Sequence, residues 1–383
     1  MNEARQAPSI SIGPRVRKSP YFDSTLRYGA KAFTVYNHMY MPTSYSDPIS
    51  EYRALVEGVT LWDVACERQV EISGSDATRF TQLLTPRNLS RCAVNQCMYV
   101  LITDSNGGIV NDAVLLRLEE NRYWLSPGDG DVLLWAQGVA ATSGLDVEVT
   151  EPDVSPMQLQ GPLAPQVAEK LFGQLAYDLG YYRMQATTLG SIPLVLSRTG
   201  WSGELGYELF LQDSRHGDEL WEKVAEAGRE FEIAPIAPSA IRSIEGGILS
   251  YVSDIQRLDD PFTLGMDRLV DLDMEADFIG KEALRKIKSS GTRRKLVGVE
   301  IEGEPIAGND EFWSVLQHSK RVGYITRCAF SPRLEKNIGF ANIPTELAQP
   351  GEKIEVETKT GTRGAVIVST PWFHSLKKIV RPS

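Results

Sequence analysis

The stretch Asn106-Gly107-Gly108-Ile109-Val110-Asn111-Asp112 predicts a tight hairpin turn that leads into a buried strand. Asn-Gly between apolar runs is the strongest short-range hairpin pattern, because both residues tolerate the backbone angles that such a turn needs. The strand that follows is apolar except for Asp112. A buried carboxylate without a partner is unfavourable. Asp112 is therefore either a turn residue near a strand edge or an acid with a function, and this stretch alone leaves both open.

The composition of the chain describes an ordinary folded protein. Its 383 residues suit two or three domains, and 23% charged with 42% apolar residues is typical of globular proteins. The net charge of −10 argues against sequence-independent nucleic-acid binding, which relies on many Lys and Arg contacts to phosphate. We find neither an apolar run of about 18 residues nor the apolar stretch of a secretory signal. We therefore expect no membrane partner and a cytoplasmic location.

The cysteines and histidines predict neither a disulfide framework nor a metal site. The four cysteines, at positions 66, 92, 97 and 328, lack the paired spacing of metal ligands, and the four histidines are scattered. No nucleophile elbow, dinucleotide fingerprint or phosphate loop is present. We expect no metal, and any catalysis must use other groups.

Apolar periodicity predicts two successive units in which a strand precedes a helix. In the first, residues 69–74 alternate like a half-buried strand and residues 75–84 form a short helix. Further strands are predicted at 98–103, 113–118 and 123–126. In the second unit, a strand over 157–161 leads into a helix over 162–172, with proline at its start and Gly173 after its end.

The remainder of the chain predicts a hairpin, two helices and a small β domain. Strands over 192–198 and 207–212 flank the loop 199–206, and helices follow around Leu220 and over 239–251. The basic stretch 286–295 is the predicted domain boundary. Beyond it, turn signals separate short strands that indicate a small antiparallel barrel or sandwich, at 296–301, 321–326, 338–341, 354–357 and 365–369.

Two acids on different hairpins are candidates for one ligand site. Glu208 lies on the strand that follows the loop bearing Trp201, and alternation puts Glu208 on the same face as Phe210. Loop packing for Trp201 and a surface position for Glu208 are the simpler interpretations. If Asp112 and Glu208 converge with aromatic rings, however, the site suits a flat heteroaromatic ligand such as a pterin, because carboxylates accept from its N–H groups and rings stack on it.

The sequence resembles the folate-dependent aminomethyltransferase family, which includes the T-protein of the glycine cleavage system. No single matching segment is decisive, but their order and spacing together are highly specific. The segments are Gly107-Gly108-Ile109-Val110-Asn111-Asp112, Gln160-Gly161-Pro162, Ser197-Arg198-Thr199-Gly200-Trp201-Ser202-Gly203-Glu204, Gly206-Tyr207-Glu208, Asp260-Pro261-Phe262, Ile279-Gly280-Lys281-Glu282-Ala283-Leu284 and Phe330-Ser331-Pro332.

This resemblance implies an α+β fold of several domains. Residues 1–285 would form a folate-binding region of two interleaved α/β subdomains, and residues 286–383 a C-terminal antiparallel β-barrel. Tetrahydrofolate would be the one-carbon acceptor and a small molecule the donor. The protein would be a monomer or a homodimer.

Within the family, the resemblance is strongest to dimethylsulfoniopropionate demethylases. It is carried by Tyr36-Asn37-His38-Met39, by residues 62–74 and by Val110-Asn111-Asp112. By this resemblance Asp112 is the catalytic acid beside the reactive nitrogens of tetrahydrofolate, and Glu208 grips the pterin ring. The aromatic walls of the cofactor site would be Tyr99, Tyr182 and Trp201.

The chain also departs from the demethylase pattern. Phe210 stands where those enzymes tend to have tyrosine, and the segments 202–206, 243–245 and 251–254 differ as well. These departures concern the identity of the methyl donor more than the use of folate.

The implied reaction is methyl transfer from a small sulfonium or quaternary ammonium donor to N5 of tetrahydrofolate. Such a donor carries a neutral leaving group, so the displacement needs alignment of the reactants and no metal. Aromatic faces would hold the cation, with Tyr36, Trp201 and Phe210 as candidates, and Arg198 or Arg242 would bind a donor carboxylate. The alternatives are aminomethyl or other one-carbon transfer to folate, and folate binding without catalysis.

Overall fold

The computed structural model describes residues 10–374, which form two large sheets flanked by helices, a two-stranded sheet over residues 32–44 and a barrel. The helices are α1 (Phe22–Arg27), α2 (Pro48–Glu57), α3 (Ala77–Leu84), α4 (Val132–Ser143), α5 (Ala164–Phe172), α6 (Leu175–Asp178), α7 (Gly217–Gly228), α8 (Ala240–Glu245) and α9 (Lys281–Ser290). The strands are β1 (Ala32–Tyr36), β2 (Met39–Ser44), β3 (Thr60–Asp63), β4 (Val70–Ser73), β5 (Gln96–Thr103), β6 (Ile109–Glu119), β7 (Arg122–Pro127), β8 (Glu148–Thr150), β9 (Ser155–Gln160), β10 (Met184–Leu189), β11 (Ile192–Ser197), β12 (Gly206–Leu211), β13 (Ala234–Pro235), β14 (Arg294–Ile301), β15 (Trp313–Gln317), β16 (Lys320–Ser331), β17 (Lys336–Pro344), β18 (Lys353–Thr358) and β19 (Gly361–Val368).

A six-stranded sheet carries one helix-covered face and one face that points into the molecule. Its order is β10-β11-β12-β9-β3-β13, with only the β13–β3 pair parallel. Helices α5 and α7 contribute Val167 and Trp221 to the apolar core on one face, where they join Leu159 and Leu209 of the central strands. Because side chains alternate along a strand, Gln158 and Glu208 lie on the opposite face.

The second sheet has five strands and is formed by the chain segment between β3 and β9 of the first sheet. The chain leaves the six-stranded sheet after β3, forms β4 to β8 in the order β5-β6-β7-β4-β8, and returns at β9. Helices α3 and α4 cover one face and bury Phe80 and Ala136 against Leu115 and Leu125. The other face turns toward the six-stranded sheet. The two sheets meet there through Cys97, Leu116, Trp124, Val154, Met184, Val195 and Phe210.

The predicted Asn-Gly hairpin joins β5 to β6. The Asp104 carboxylate accepts from the backbone N–H groups of Asn106 at 2.8 Å and Gly108 at 2.9 Å. Gly107 has a φ of +80°, and a Cβ there would lie 3.0 Å from Cδ2 of Leu284. Glycine is therefore required both by the backbone angle and by the close approach of α9.

The C-terminal unit is a closed antiparallel barrel, as predicted from the strand spacing and the resemblance. Its strands follow the order β14-β17-β16-β15-β18-β19, and β19 pairs back to β14. The sequence did not predict β15. Helix α9 continues to Ser290 and β14 begins at Arg294, so the basic stretch 286–295 is mostly helix and strand and includes only a short connection.

The helix predicted over residues 239–251 is wrong in its length. Helix α8 ends at Glu245, and the chain turns at Gly246 and Gly247, where Gly247 has a φ of +64°. A pair of glycines at this point ends the helix because glycine adopts such angles freely. Among residues 10–374, we find no helix with the length and apolar character needed to cross a membrane.

Candidate active site

A central cavity of about 690 Å³ lies between the two sheets and the barrel. Its volume is within the range of about 300–1,000 Å³ that small-molecule sites occupy. The inner faces of both sheets supply Asp112 and Glu208, and the connection between α8 and α9 supplies one side through residues 246–251, 264–266 and 268. The barrel closes the remaining side with Leu296, Val297, Arg327 and Phe340.

Asp112 lies on β6, and its carboxyl group is part of the cavity wall. Its Oδ2 accepts from the Tyr99 hydroxyl at 2.8 Å, and Tyr99 lies on the neighbouring strand β5. Its Oδ1 is buried and receives no donor within residues 10–374. Burial raises the pKa of Asp112 to about 6, and the hydrogen bond from Tyr99 opposes that rise. The carboxyl can therefore accept from a ligand N–H or take up a proton near neutral pH.

Glu208 lies opposite, on β12 of the six-stranded sheet. Its Oε1 accepts from Nε2 of Gln158 at 2.8 Å, and its Oε2 accepts from the Thr199 hydroxyl. Burial raises the pKa of Glu208, while the bonds from Thr199 and Gln158 lower it. Gln158 is itself buried, and its Oε1 has no donor in the described part of the chain. This pair offers acceptors in one wall to a ligand that carries N–H groups.

A third carboxyl group, that of Glu67, lines the same cavity. The Ser126 hydroxyl on β7 donates to its Oε2 at 3.1 Å. Burial raises the pKa of Glu67 well above its ordinary value, and the nearby charges of Glu208 and Asp112 raise it further. No positively charged group within residues 10–374 lowers the pKa of any of the three acids. These three carboxyl groups therefore have no ion-pair partner among residues 10–374, whereas Glu204, a fourth acid of the cavity wall, is paired with Arg242.

Aromatic rings form much of the remaining wall. Tyr182 adopts a left-handed φ of +58°, and its backbone is fixed by bonds to Arg198 O at 3.0 Å and from Cys97 N at 2.9 Å. The guanidinium of Arg327 lies 5.7 Å from the ring centroid of Trp201. Other ring residues of the wall are Tyr36, Trp62, Tyr99, Tyr181 and Tyr251.

The structure brings seven of the nine residues predicted from the sequence to the central cavity. These are Tyr36, Tyr99, Asp112, Tyr182, Arg198, Trp201 and Glu208. The Arg198 side chain is buried and donates to the carbonyls of Gly206 at 3.2 Å and Leu179 at 3.4 Å. It therefore lines the wall with its guanidinium already engaged by backbone groups.

The other two, Arg242 and Phe210, do not line the cavity, and Arg242 is paired with Glu204. Phe210 shares the sheet face of Glu208, as alternation predicts, but it is fully buried between the two sheets. Its ring centroid lies 6.1 Å from that of Trp124. The prediction of Phe210 as a substrate contact thus finds no support, because the sheets close on each other at this depth.

Several cavity residues were missed from the sequence, namely Glu67, Ser126, Gln158, Thr199, Tyr251 and Arg327. For Gln158 a signal was present. It and Gln160 alternate with Met157 and Leu159, so the strand has a polar face. Glu67 lies in an irregular connection, where no periodicity assigns a side chain to one direction.

Family models match both parts of the chain. The model described as the GCVT N-terminal domain matches residues 21–274, and that of the glycine cleavage T-protein C-terminal barrel domain matches residues 294–374. The chain belongs to the glycine cleavage T-protein family. This is a family of folate-dependent methyl- and aminomethyltransferases, so the family predicted from the sequence motifs is confirmed.

Individual relatives of the T-protein family match over nearly the whole chain. The dimethylsulfoniopropionate demethylase DmdA of Ruegeria pomeroyi is 36% identical over 364 residues, which cover 95% of this chain and 99% of the relative. The aminomethyltransferase of Symbiobacterium thermophilum is 32% identical over 373 residues, covering 94% and 98%. That of Caldanaerobacter subterraneus is 30% identical over 364 residues, covering 94% and 96%.

A solved T-protein structure shares the fold. The glycine cleavage system aminomethyltransferase T from Bartonella henselae superimposes with a TM-score of 0.85 at 20% identity, covering 95% of this chain and 100% of that one. The predicted α+β architecture with its C-terminal barrel is confirmed. Since a demethylase and aminomethyltransferases are both similar over the full length, the family alone leaves the donor open.

Proposed function

We propose that this protein is a tetrahydrofolate-dependent demethylase that takes a methyl group from a small sulfonium or quaternary ammonium donor. The observation that carries the proposal is the acidic, aromatic interior of the central cavity, where the carboxyl groups of Glu67, Asp112 and Glu208 line one space and none has an ion-pair partner among residues 10–374. Aromatic faces and uncompensated carboxylates are the groups that favour a permanently cationic ligand. The 36% identity to a dimethylsulfoniopropionate demethylase supports the same donor class.

Tetrahydrofolate fits the unsatisfied groups of the cavity wall. Oδ1 of Asp112 and Oε1 of Gln158 are buried acceptors without donors in residues 10–374, and leaving such acceptors unpaired costs about 1–3 kcal/mol each. The amino and ring N–H groups of a pterin are suitable donors. Glu208 and Gln158 would hold the pterin from one sheet, with Asp112 on the other and Tyr99, Tyr182 and Trp201 as stacking walls.

When bound, tetrahydrofolate supplies the nitrogen nucleophile N5. The residues of the chain align the donor with it and exclude water, which accounts for on the order of 7–11 kcal/mol of barrier lowering in well-oriented reactions. The donor loses its methyl group, and the electron pair of the broken bond stays on a neutral thioether or amine. Asp112, with its free Oδ1, stabilises the positive charge that develops on the nitrogen and accepts the proton that is released.

A donor carboxylate would need positive charge outside the acidic interior. Three arginines line the cavity and can supply it, namely Arg198, Arg268 and Arg327. Arg268 is exposed and thus available at the mouth. We retain Arg198 as a candidate from the sequence, although its guanidinium donates to two carbonyls. Arg327 is already paired with Asp254.

Aminomethyl transfer is the second candidate function. It is favoured by the 30–32% identity to aminomethyltransferases over nearly the full length. Folate binding without catalysis is a third alternative, and the retained Asp112 with its free oxygen speaks against it.

Anaerobic incubation with tetrahydrofolate and a panel of donors tests the proposal. The panel contains dimethylsulfoniopropionate, glycine betaine, dimethylglycine and an aryl methyl ether, and chromatography separates the folate products. We expect 5-methyltetrahydrofolate with one of the two onium donors. An aminomethyl thioether, whose carbon is already at the oxidation level of formaldehyde, is added as a further sample. Methylenetetrahydrofolate from this donor alone would instead support aminomethyl transfer, and no product with retained folate binding would support a non-catalytic role.

A further inference from the structure

Glu67 occupies a position between the two acids already assigned to folate. It lies on the connection from β3 of the six-stranded sheet to β4 of the five-stranded sheet. Its partner Ser126 pairs with Val114 on β6, two residues along the same face from Asp112. Such diagonal neighbours lie roughly 7–8 Å apart, so the Glu67 carboxyl reaches the cavity close to Asp112.

The hydrogen bonds around Glu67 fix it without neutralising it. Nε2 of Gln69 donates to the Ser126 hydroxyl at 2.9 Å, and this hydroxyl donates to Oε2 of Glu67 at 3.1 Å. The adjacent Arg68 turns away and donates through Nε to Glu151 at 2.9 Å. Glu67 is thus held in place in the wall, and the cation next to it in the chain belongs to another ion pair.

The neighbours of Glu67 favour an onium group over a hydrogen-bond donor. The Tyr36 ring lines the same cavity; burial raises the pKa of its phenol, and the neighbouring charges, including that of Glu67, raise it further. A sulfonium or quaternary ammonium centre has no N–H to donate, so charge and aromatic faces are its main means of recognition. Burial and the neighbouring acids favour the protonated form of Glu67 in the empty cavity. An adjacent onium charge favours the ionised carboxylate, so the cation and this carboxylate stabilise each other.

We propose that Glu67 binds the cationic centre of the methyl donor beside Tyr36 and so determines the preference for a charged donor over a neutral one. This inference rests on the proposed demethylase function. The three acids without an ion-pair partner in residues 10–374 would then have different roles. Asp112 and Glu208 would bind folate, and Glu67 would bind the donor.

The charge at Glu67 acts on the bound donor more than on the transition state. The donor loses its positive charge as the methyl group leaves, so the attraction to Glu67 weakens during the reaction. An interaction that is stronger with the bound donor than with the transition state lowers KM. It does not raise kcat and can reduce it. Glu67→Gln is therefore expected to raise KM for the donor at least tenfold without lowering kcat.

Calorimetric binding of a matched pair of ligands tests the inference without turnover. Dimethylsulfoniopropionate is compared with 4-methylpentanoate, in which carbon replaces the charged sulfur; glycine betaine and 3,3-dimethylbutanoate form the ammonium pair. We expect the wild-type protein to prefer the cation at least tenfold. Glu67→Gln should lose that preference while keeping its affinity for the neutral ligand, and Glu67→Asp, which keeps the charge, should retain most of it.

Two controls separate the possible failures. Tetrahydrofolate affinity unchanged in both Glu67 variants shows an intact site, and Glu148→Gln removes an exposed carboxylate outside the cavity. A cation preference that survives in a folded Glu67→Gln protein overturns the inference but leaves the demethylase function standing. If the wild-type protein binds neither onium donor, the donor class itself is wrong, and the role of Glu67 falls with it.

Discussion

One carboxylate oxygen of Asp112 accepts from Tyr99 and the other has no donor within residues 10–374, so the contribution of Asp112 to catalysis depends on its charge. Asp112→Asn keeps the size and the acceptor for Tyr99 but removes the charge and the capacity to take a proton. We expect turnover to fall on the order of 10²–10⁴-fold with a much smaller loss of tetrahydrofolate affinity, about tenfold for one hydrogen bond, as measured by single-turnover kinetics and anaerobic calorimetry. Asp131→Asn, at an exposed carboxylate, is the control. Equal losses of affinity and rate would remove the catalytic role.

The raised pKa of Asp112 also predicts a pH-dependent stability. Its pKa is about 6 in the folded protein against 3.8 as the ordinary value, so the folded state binds the proton more tightly and loses stability as pH rises from about 4 to 6. Each pKa unit corresponds to about 1.4 kcal/mol. Asp112→Asn should therefore raise the free energy of unfolding of the ligand-free protein by up to about 3 kcal/mol at pH 8 and by less than about 1 kcal/mol at pH 4. Urea unfolding at both pH values measures this, and an equal gain at both would contradict it.

Glu208 and Phe210 lie two residues apart on one strand face but at different depths, which makes them a matched pair. Glu208→Gln removes charge-assisted hydrogen bonds worth about 1.5–3 kcal/mol, so tetrahydrofolate affinity should fall about 10–100-fold. Phe210→Leu should cost about 1–1.5 kcal/mol of stability and leave that affinity unchanged. Loss of affinity in the Phe210 variant at full folding would return this residue to the site.

Single residues show where sequence reasoning succeeds and where it stops. Alternation along β12 placed Glu208 and Phe210 on the correct face. Alternation does not tell which part of that face the second sheet covers. The covered part holds the core residue Phe210, and the uncovered part holds the cavity residue Glu208. Glu67 went unassigned because its hydrogen-bond partner, Ser126, lies 59 positions further along the chain.

At the level of elements, the β5–β6 hairpin positions Asp112, and Gly107 positions the hairpin. Gly107→Ala would strain a backbone with φ +80° and push a methyl group against Leu284. Gly291→Ala is the matched control, since Gly291 has φ +75° but no atom within 4 Å of the added Cβ. We expect Gly107→Ala to lose about 1–2 kcal/mol more stability than the control. Similar losses in urea unfolding would show that the contact with α9 is unimportant.

Elements with strong local signals were predictable, and those set by distant contacts were not. The Asn-Gly turn and the strands flanking it follow from local propensity. The predicted helix over 239–251 is longer than α8, which ends at Glu245, because the prediction continues the helix through Gly246 and Gly247. In the structure, Gly247 packs against Pro371, which follows the last barrel strand in the chain. A Cβ on Gly247 would lie 3.2 Å from Cβ of Pro371, and no local pattern encodes this contact.

At the scale of the whole molecule, the barrel completes the cavity wall through Arg327. Its Nε donates to Asp254 at 2.7 Å, Nη1 to the Ser243 hydroxyl at 3.0 Å and Nη2 to Ile248 O at 2.9 Å. The barrel was predicted as a unit from its strands and from the family resemblance. Its contribution to the site was not predictable, because it depends on how the barrel docks against the segment that follows α8.

Removing Arg327 tests this coupling between the barrel and the cavity. The side chains of Arg327 and Asp254 are 13% and 0% exposed, and breaking a buried ion pair on one side costs about 3–5 kcal/mol. Arg327→Met should lose stability in this range and weaken tetrahydrofolate binding. The double variant with Asp254→Asn should be less destabilised than the sum of the single variants. Additive losses would show that the pair does not join the two units.

The most direct test of the proposed function follows the methyl group itself. Dimethylsulfoniopropionate labelled with ¹³C in its methyl groups is incubated anaerobically with tetrahydrofolate and the wild-type or Asp112→Asn protein, and the products are read by NMR. We expect the wild-type protein to form ¹³C-labelled 5-methyltetrahydrofolate and methylthiopropionate in equal amounts, and the variant to form them far more slowly. Cleavage of the donor without label in the folate, or no reaction with this or the corresponding labelled glycine betaine, would contradict the proposal.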